Sequence, residues 1–308
     1  MNYSPEDLDV AFSETQLNTW ANLPSSQQFT DTYASVKNVL ESTKAPYFGK
    51  RTFKVHLQGS YKNDTNVYGT GDVDIVACSS DTWGYNIDDL PQDQKNRYMA
   101  ELTPGVTSAC GPFKTELFNW LGSYYGYGEV HMGKKTIILQ GSGSRRKSDV
   151  LACTDHRHYY RYAFPGDTSF HPGIRFQTAN GLWIVNYPKY HYKNCAAKSS
   201  ATNNWFKPTA RIFKNMRNRM INEHIISEDL VSSYYIEGML WNVPKEKYSV
   251  TFVNTVANCL NHLREVNKAT LLCANGITPL VADSRPDALL PVNFDSYIAK
   301  TIAYWNAA

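Results

Sequence analysis

The chain has 308 residues, of which 42% are hydrophobic and 19% are charged, and its formal net charge at pH 7 is only +3. This length allows a large buried core, built as one large domain or as two smaller ones. The small net charge argues against non-specific nucleic-acid binding by the whole surface, so any basic site must be local.

Cysteine usage and the absence of targeting segments predict a cytoplasmic protein. The six cysteines include no C-x-x-C pair, which argues against a zinc site and favours reduced thiols. The N-terminal residues lack the basic and apolar regions of a signal peptide, and no apolar stretch reaches the length of a membrane span, so no membrane association is expected.

The N-terminal region predicts helices followed by a strand. Apolar residues from about Thr15 to Ser42 have helical spacing, and Pro24 with the two serines after it divides this region into a short and a long helix. Residues 54–58 alternate and predict a strand, and residues 64–71 are rich in turn formers.

Residues 58–76, with the sequence QGSYKNDTNVYGTGDVDIV, form the most informative stretch. On a strand, Asp72 and Asp74 point to the same side and their apolar neighbours to the other, which suits a divalent-cation site with oxygen ligands. Gly59 allows close approach of a ligand, and Ser60 offers a hydroxyl and an N–H to phosphate oxygens. A phosphate-binding and a metal-binding segment are thus consecutive, which predicts an enzyme that acts on nucleoside triphosphates.

The rest of the chain predicts mixed strands and then a helical half. Residues 73–78, 129–140 and 148–153 are strand-like, and residues 90–125 predict helices around a break at Pro104 and Gly105. A hairpin is predicted around the turn Asn180-Gly181, and the pattern is helical from about Asn204 onward. The best candidate for a domain boundary is a change of composition at residues 190–204.

Asp149 is the third acidic candidate. If its strand lies beside the strand of Asp72 and Asp74, three carboxylates converge and can hold two Mg²⁺ ions about 4 Å apart. A solvated strand face is the alternative for each aspartate taken alone. The scattered histidines, His191 among them, lack metal-ligand spacing and are interpreted as structural or surface residues.

Two helical segments contain candidate nucleotide contacts. Lys214 lies on the face of helix 206–220 that carries Lys207 and Arg211, which is either a solvated basic face or a triphosphate contact. Ser233 and Tyr234 precede an apolar helix, where they are either a helix cap with a core tyrosine or a phosphate contact beside a base-stacking ring.

The stretch at 58–76 resembles the signature of the DNA polymerase β-like nucleotidyltransferase superfamily. Four further segments narrow the resemblance to the bacterial cGAS/DncV-like nucleotidyltransferases (CD-NTases): SDVLAC at 148–153, IVNYPKYH at 184–191, FKPTARIFKNMRN at 206–218 and SYYIEGMLWNVP at 233–244. The similarity runs in order along most of the chain.

The resemblance implies an α+β fold. A nucleotidyltransferase core with a long N-terminal helix, residues 1–195, would pack against a helical lobe, residues 196–308, which closes the active-site cleft. Asp72, Asp74 and Asp149 would be the metal ligands. The donor triphosphate would contact Gln58, Gly59 and Ser60 on one side, and Lys214 and Ser233 on the other, with Tyr234 against a base.

The implied activity is synthesis of a cyclic oligonucleotide signal, most simply a cyclic dinucleotide, from nucleoside triphosphates with release of pyrophosphate. Two Mg²⁺ ions, for which Mn²⁺ can substitute, would serve as cofactors. In bacteria such enzymes belong to anti-phage defence systems (CBASS), where the product activates a separate effector. The animal cyclic GMP–AMP synthase, a related enzyme, has a zinc-binding insertion that has no counterpart in this chain. The chain also has no long basic surface, so a nucleic-acid activator is not expected. A monomer is expected.

Several alternatives stay open from the sequence. Base contacts can come from any of several asparagines, namely Asn63, Asn66, Asn186, Asn194 and Asn204. Similar clades include enzymes that use pyrimidines, which makes a uridine-containing product a candidate. A template-independent nucleotidyltransferase acting on RNA or a protein, and a nucleotide sensor without catalysis, are the two rival functions.

Overall fold

The computed structural model describes residues 12–67, 71–102, 111–164 and 166–307. The predicted break at Pro104 and Gly105 lies outside the described residues. The chain divides into two compact units, a helical unit from residues 1–24, 62–71 and 189–308 and a sheet unit from residues 25–61 and 72–188.

The sheet unit contains a seven-stranded mixed sheet. Its strands, numbered in chain order, are β1 (Phe53–Leu57), β2 (Val73–Asn86), β3 (Val130–Met132), β4 (Ile137–Leu139), β5 (Ser148–Phe164), β6 (Asp167–Gln177) and β7 (Trp183–Asn186). The strand order is β1-β2-β5-β4-β3, and β6 pairs with β5 and β7. Strands β2 and β5 are parallel, whereas β1 pairs with β2 in the antiparallel sense. The helices packed in this unit are α2 (Gln27–Leu40), α4 (Gln92–Glu101) and α5 (Gly111–Tyr125).

The first half of strand β2 is buried on both faces because the sheet has an apolar cluster on each side there. Val73, Ile75 and Ala77 belong to the cluster that includes residues of α2 and α5. Val76 and Cys78 belong to the opposite cluster, together with residues of β5, β6 and β7. A strand covered on both faces gives a continuous apolar run, and residues 73–78 have that sequence.

The helical unit consists of helices around one apolar core. These are α1 (Glu14–Ala21), α6 (Pro188–Ala201), α7 (Phe206–Asn222), α8 (Ser233–Asn242), α9 (Phe252–Glu265) and α10 (Pro291–Ala307). A short helix, α3 (Gly59–Asn63), lies where the chain passes from the sheet unit to the helical unit. Leu17, Phe213, Met216, Leu240 and Trp305 are fully or almost fully buried in the core of the helical unit.

Most predicted elements are confirmed, including the helix break near Pro24 and the pairing of β6 with β7. Residues 129–140, predicted as one strand, instead form two short antiparallel strands with Gly133 directly after the first. The helical half begins at Pro188, well before Asn204. None of the helices in the described ranges is both long and apolar enough to cross a membrane.

Candidate active site

The three aspartates lie on one face of the sheet. Asp74 and Asp149 are direct partners in the parallel ladder of β2 and β5, whose backbones are about 4.8 Å apart. Alternate residues of a strand point to the same face, and Val76, Leu151 and Cys153 continue these two rows into the same apolar cluster. Asp72 precedes β2 in the row of Asp74. The strand adjacency on which the three-carboxylate hypothesis depends is therefore present.

The charges around these aspartates leave one carboxylate oxygen without a partner. Lys147 Nζ lies 2.6 Å from Asp72 Oδ2, so one lysine neutralises one aspartate. Burial, followed by the charge of Asp72, raises the pKa of the Asp149 carboxyl group. Asp149 Oδ1 is buried and has no hydrogen-bond partner among the described residues. An oxygen-rich site with an unpartnered buried carboxylate oxygen has the chemistry that Mg²⁺ requires of its ligands.

Gly59 allows the backbone to approach Asp74 closely. Its φ is +74°, in the left-handed region, and a Cβ atom at this position would lie 1.9 Å from Asp74 Oδ2. Any other residue would therefore be strained and would also displace the carboxylate. The resemblance assigned Gly59 to phosphate binding, and the structure adds a steric requirement for glycine beside Asp74.

Gln58 and Ser60 flank this glycine. The Gln58 backbone N–H donates to Asp74 O at 2.9 Å, which holds the segment against the start of β2. Gln58 Oε1 is buried without a hydrogen-bond partner in the described ranges, and Ser60 is half-buried in α3. The roles of Gln58, Gly59 and Ser60 in binding a triphosphate stay predictions.

Lys214 lies in the helical unit and is buried. Its Nζ donates to Thr65 O at 3.0 Å, to Thr65 Oγ1 at 2.9 Å and to Glu237 Oε1 at 2.5 Å. An ammonium group has three donors, and these bonds use all three. Arg211 is also buried. The interpretation of this helix face as solvated is therefore wrong for both residues, while a contact between Lys214 and a triphosphate stays a prediction.

Ser233 and Tyr234 begin helix α8. Ser233 is half-buried, and its role as a phosphate contact stays a prediction. The Tyr234 ring stacks on the ring of His191, with centroids 5.1 Å apart and an interplanar angle of 23°. The Tyr234 hydroxyl accepts a hydrogen bond from Asn275 Nδ2 at 3.1 Å. The predicted base-stacking ring is thus held by one stacking neighbour and by its hydroxyl group.

A second group of metal-ligand types occurs in the helical unit. The ligand atoms of His191, Cys195 and Glu237 lie within 4.8 Å of one another, and all three residues are buried. Lys214 already neutralises Glu237, and His191 Nε2 lies at hydrogen-bonding distance, 2.6 Å, from Glu237 Oε2. Burial, followed by the charge of Glu237, raises the pKa of the Cys195 thiol and disfavours the thiolate that a metal needs. This group fits an ion-pair network better than a metal site.

Three polar residues that contact predicted site residues were missed from the sequence: Glu237 and Thr65, which bind Lys214 in the helical unit, and Lys147, which pairs with Asp72 in the sheet unit. Glu237 is the lone charged residue in the helical sequence SYYIEGMLWN, and it follows Ser233 by one helical turn. A single acid in an apolar helix normally has a buried partner, so this signal was present in the sequence. Thr65 and Lys147 lie in polar segments that offered no comparable signal.

Comparisons with known proteins agree with this geometry. The profile of the cGAS/DncV-like nucleotidyltransferase C-terminal helical domain matches residues 193–306. The chain is 32% identical over 296 residues to the cyclic nucleotide synthase CdnE01 of Staphylococcus haemolyticus, covering 94% of this chain and 97% of the relative. It is 34% identical over 263 residues to the cyclic UMP-AMP synthase of Rhodothermus marinus, covering 85% and 87%.

A solved structure shows the same fold. The structure of Rhodothermus marinus CdnE c-UMP-AMP synthase with Apcpp and Upnpp superposes with a TM-score of 0.81 at 31% identity, covering 96% of each chain. Fold and sequence therefore define a class of proteins that have a polymerase β-like nucleotidyltransferase core and a helical C-terminal region. The chain belongs to the cGAS/DncV-like nucleotidyltransferase family, and it is a cyclic nucleotide synthase.

Proposed function

We propose that this enzyme joins ATP and UTP into a uridine-containing cyclic dinucleotide and releases pyrophosphate. The observation that carries nucleotidyl transfer is the convergence of Asp72, Asp74 and Asp149 on one sheet face, with Asp74 and Asp149 paired across parallel strands. The choice of bases rests on similarity to the cyclic UMP-AMP synthase of Rhodothermus marinus.

Asp72, Asp74 and Asp149 would hold two Mg²⁺ ions, which Mn²⁺ can replace. Bound divalent cations lower the pKa of an attacking hydroxyl group and neutralise the charge on phosphate oxygens. In the proposed reaction a ribose hydroxyl oxygen of one nucleotide forms a bond to the α-phosphorus of the other. The bond from that phosphorus to the oxygen that bridges the α- and β-phosphates breaks, and pyrophosphate leaves with this oxygen. Asp149 would accept the hydroxyl proton. A second transfer closes the ring.

The nucleotide contacts are proposed for each unit separately. In the sheet unit, Gln58, Gly59 and Ser60 would contact phosphate oxygens. In the helical unit, Ser233 and Lys214 would serve the triphosphate and Tyr234 would lie against a base. The close approach of Gly59 to Asp74 supports the first set, and the fixed ring of Tyr234 supports the second.

We further propose that the enzyme acts in the cytoplasm as a monomer, in anti-phage defence, and that its product acts on a separate effector. This proposal rests on family membership. In this proposal the enzyme needs neither a membrane nor a nucleic-acid activator.

Mass spectrometry of the product formed from all four nucleoside triphosphates with Mg²⁺ tests the proposal. We expect a cyclic product that contains uridine and adenosine, formed without any acceptor polymer. Products that appear only when RNA or protein is added would support the template-independent transferase instead. Absence of pyrophosphate release with Mg²⁺ and with Mn²⁺ would support the sensor.

The metal ligands are tested with isosteric variants. Asp149→Asn, and Asp72→Asn combined with Asp74→Asn, should lower turnover by roughly 100-fold or more, since an amide is a poor ligand and a poor base. Asp81→Asn, further along β2, is the matched control, because Asp81 accepts from the Thr52 backbone N–H at 2.8 Å and has no proposed role in catalysis. A folded Asp149→Asn protein with control-like turnover would disprove the assignment.

A further inference from the structure

Glu237 is the centre of a buried hydrogen-bond network in the helical unit. Its Oε1 accepts from the Thr65 hydroxyl and from Lys214 Nζ at 2.5 Å. Its Oε2 accepts from His191 Nε2 at 2.6 Å and from Asn63 Nδ2 at 3.3 Å. One carboxylate thus connects α8 to three other segments, namely α6, α7 and residues 63–65.

The network keeps this carboxylate ionised. Burial alone would raise the pKa of Glu237, but Lys214 and His191 overcome that effect and hold it well below the ordinary value. A buried ion pair adds little stability compared with an apolar pair of the same volume. Its contribution is therefore better sought in the geometry that it imposes on its partners.

Two partners of Glu237 link it to the groups proposed to bind the nucleotide: Lys214 is one of these groups, and His191 supports another, Tyr234. Glu237 and Thr65 together receive all three donors of Lys214 and so fix its ammonium group. Glu237 also orients the His191 ring, on which Tyr234 stacks. Ser233 lies one helical turn before Glu237 on the same helix, so a change in the network would also reach the first turn of α8.

We propose that Glu237 is a positioning residue for nucleotide binding, which fixes Lys214 directly and Tyr234 through His191. This inference rests on the proposed function, in which Ser233 and Tyr234 contact the nucleotide and Lys214 exchanges one of its three protein acceptors for a phosphate oxygen. A simple competition, in which Glu237 holds Lys214 away from phosphate, makes the opposite prediction. Removing the charge of Glu237 weakens nucleotide binding if the residue positions these groups, and strengthens it if the residue competes.

The direct test is the affinity of Glu237→Gln for α,β-methylene ATP with Mg²⁺, measured by isothermal titration calorimetry. We expect Kd to rise about tenfold, because Lys214 and His191 lose their shared anion. In turnover assays KM for ATP should rise by a similar factor, while kcat changes less than about threefold, as for lost binding without lost chemistry. An unchanged or lower Kd in the folded variant would overturn the inference.

Two further variants keep the test decisive. Thr65→Val removes one hydroxyl from the network without removing a charge, and its Kd should rise about threefold. If Glu237→Gln does not fold, an unchanged Kd in Thr65→Val overturns the inference. Glu116→Gln is the matched control, since it removes the charge of an acid that pairs with Arg51 at 2.6 Å in the sheet unit, and it should bind as the wild type does.

The failure of this inference can be distinguished from failure of the proposed function. If wild-type protein neither binds α,β-methylene ATP nor releases pyrophosphate, the proposed function is wrong and the inference falls with it. If wild-type protein makes the cyclic product and both network variants bind nucleotide normally, only the positioning role of Glu237 is wrong.

Discussion

Substitutions at two glycines with the same backbone conformation can distinguish the effect of backbone strain from that of steric displacement. Gly59 has φ +74° and Gly49 has φ +71°, but a Cβ at Gly49 meets no atom within 4 Å, whereas at Gly59 it meets Asp74. Alanine at either position should therefore cost about 1 kcal/mol of stability from the left-handed backbone. The two variants should differ in activity.

Gly59→Ala should lower pyrophosphate release by roughly 100-fold, because displacement of a reacting group by about 1 Å has effects of this size. Gly49→Ala, the control, should keep wild-type activity and lose melting temperature only from the backbone strain. Pyrophosphate release with Mg²⁺ and thermal unfolding measure the two effects. Equal activities of the two variants would show that the contact between Gly59 and Asp74 is not needed.

Another residue-scale effect concerns His156, a buried histidine of β5. Burial, then Arg175 and His158, lower its pKa from 6.5 to about 4. Between these values the unfolded chain binds a proton that the folded protein does not, so the folded protein loses stability as pH falls through this window. At pH 5 the loss from this residue is about 2 kcal/mol relative to pH 8.

Urea unfolding at pH 8 and pH 5 measures this loss. His156→Gln should lose about 2 kcal/mol less than the wild type between the two pH values, because glutamine does not titrate. The difference between the two proteins isolates His156 from the other histidines. His131→Gln, at an exposed position of β3, is the control and should lose as much stability as the wild type. Equal losses in His156→Gln and the wild type would contradict the buried neutral state.

At the scale of elements, the sequence predicted best what is determined locally. The alternation in residues 72–76 predicts which side chains share a face, and the two sheet clusters confirm it. Residues 129–140 were wrongly predicted as one strand because residues compatible with a strand lie on both sides of the turn, and only the glycine after the first strand indicates it. The full lengths of strands β2 and β5 were also not predicted. Their second halves are polar, and they form strands because they pair with strands that are distant in the sequence.

The candidate site shows the same limit. Asp74 and Asp149 each carry a local strand signal, but their pairing depends on the parallel register of β2 and β5, for which the two strands taken separately contain no information. The amphipathic pattern of α7 separated apolar from basic positions and suggested solvent for the basic ones. Arg211 and Lys214 are buried because residues 64–65, far away in sequence, supply oxygen acceptors for them.

At the scale of the whole molecule, the chain passes between the two units in the order helical, sheet, helical, sheet, helical. The helical unit consequently depends on segments that are distant in the sequence. Leu17 of α1 is buried in its core, and Arg211 Nε donates to Ala21 O at 2.6 Å. Glu14 accepts from the backbone N–H groups of Phe252 and Val253, at 2.7 and 2.9 Å, at the start of α9.

The boundary predicted at residue 195 can be tested with a fragment of residues 196–308. This fragment lacks α1, His191 and Thr65, so Glu237 would keep Lys214 but lose its other partners, and Arg211 would lose the Ala21 carbonyl. Unpaired buried polar groups cost about 1–3 kcal/mol each, so the several groups left unpaired here together cost as much as the roughly 5–15 kcal/mol by which a domain is stable. We expect no cooperative thermal transition, measured by circular dichroism with the full chain as control. A cooperative transition, together with dispersed amide signals in an NMR spectrum of the fragment, would instead show that residues 196–308 fold as an independent domain.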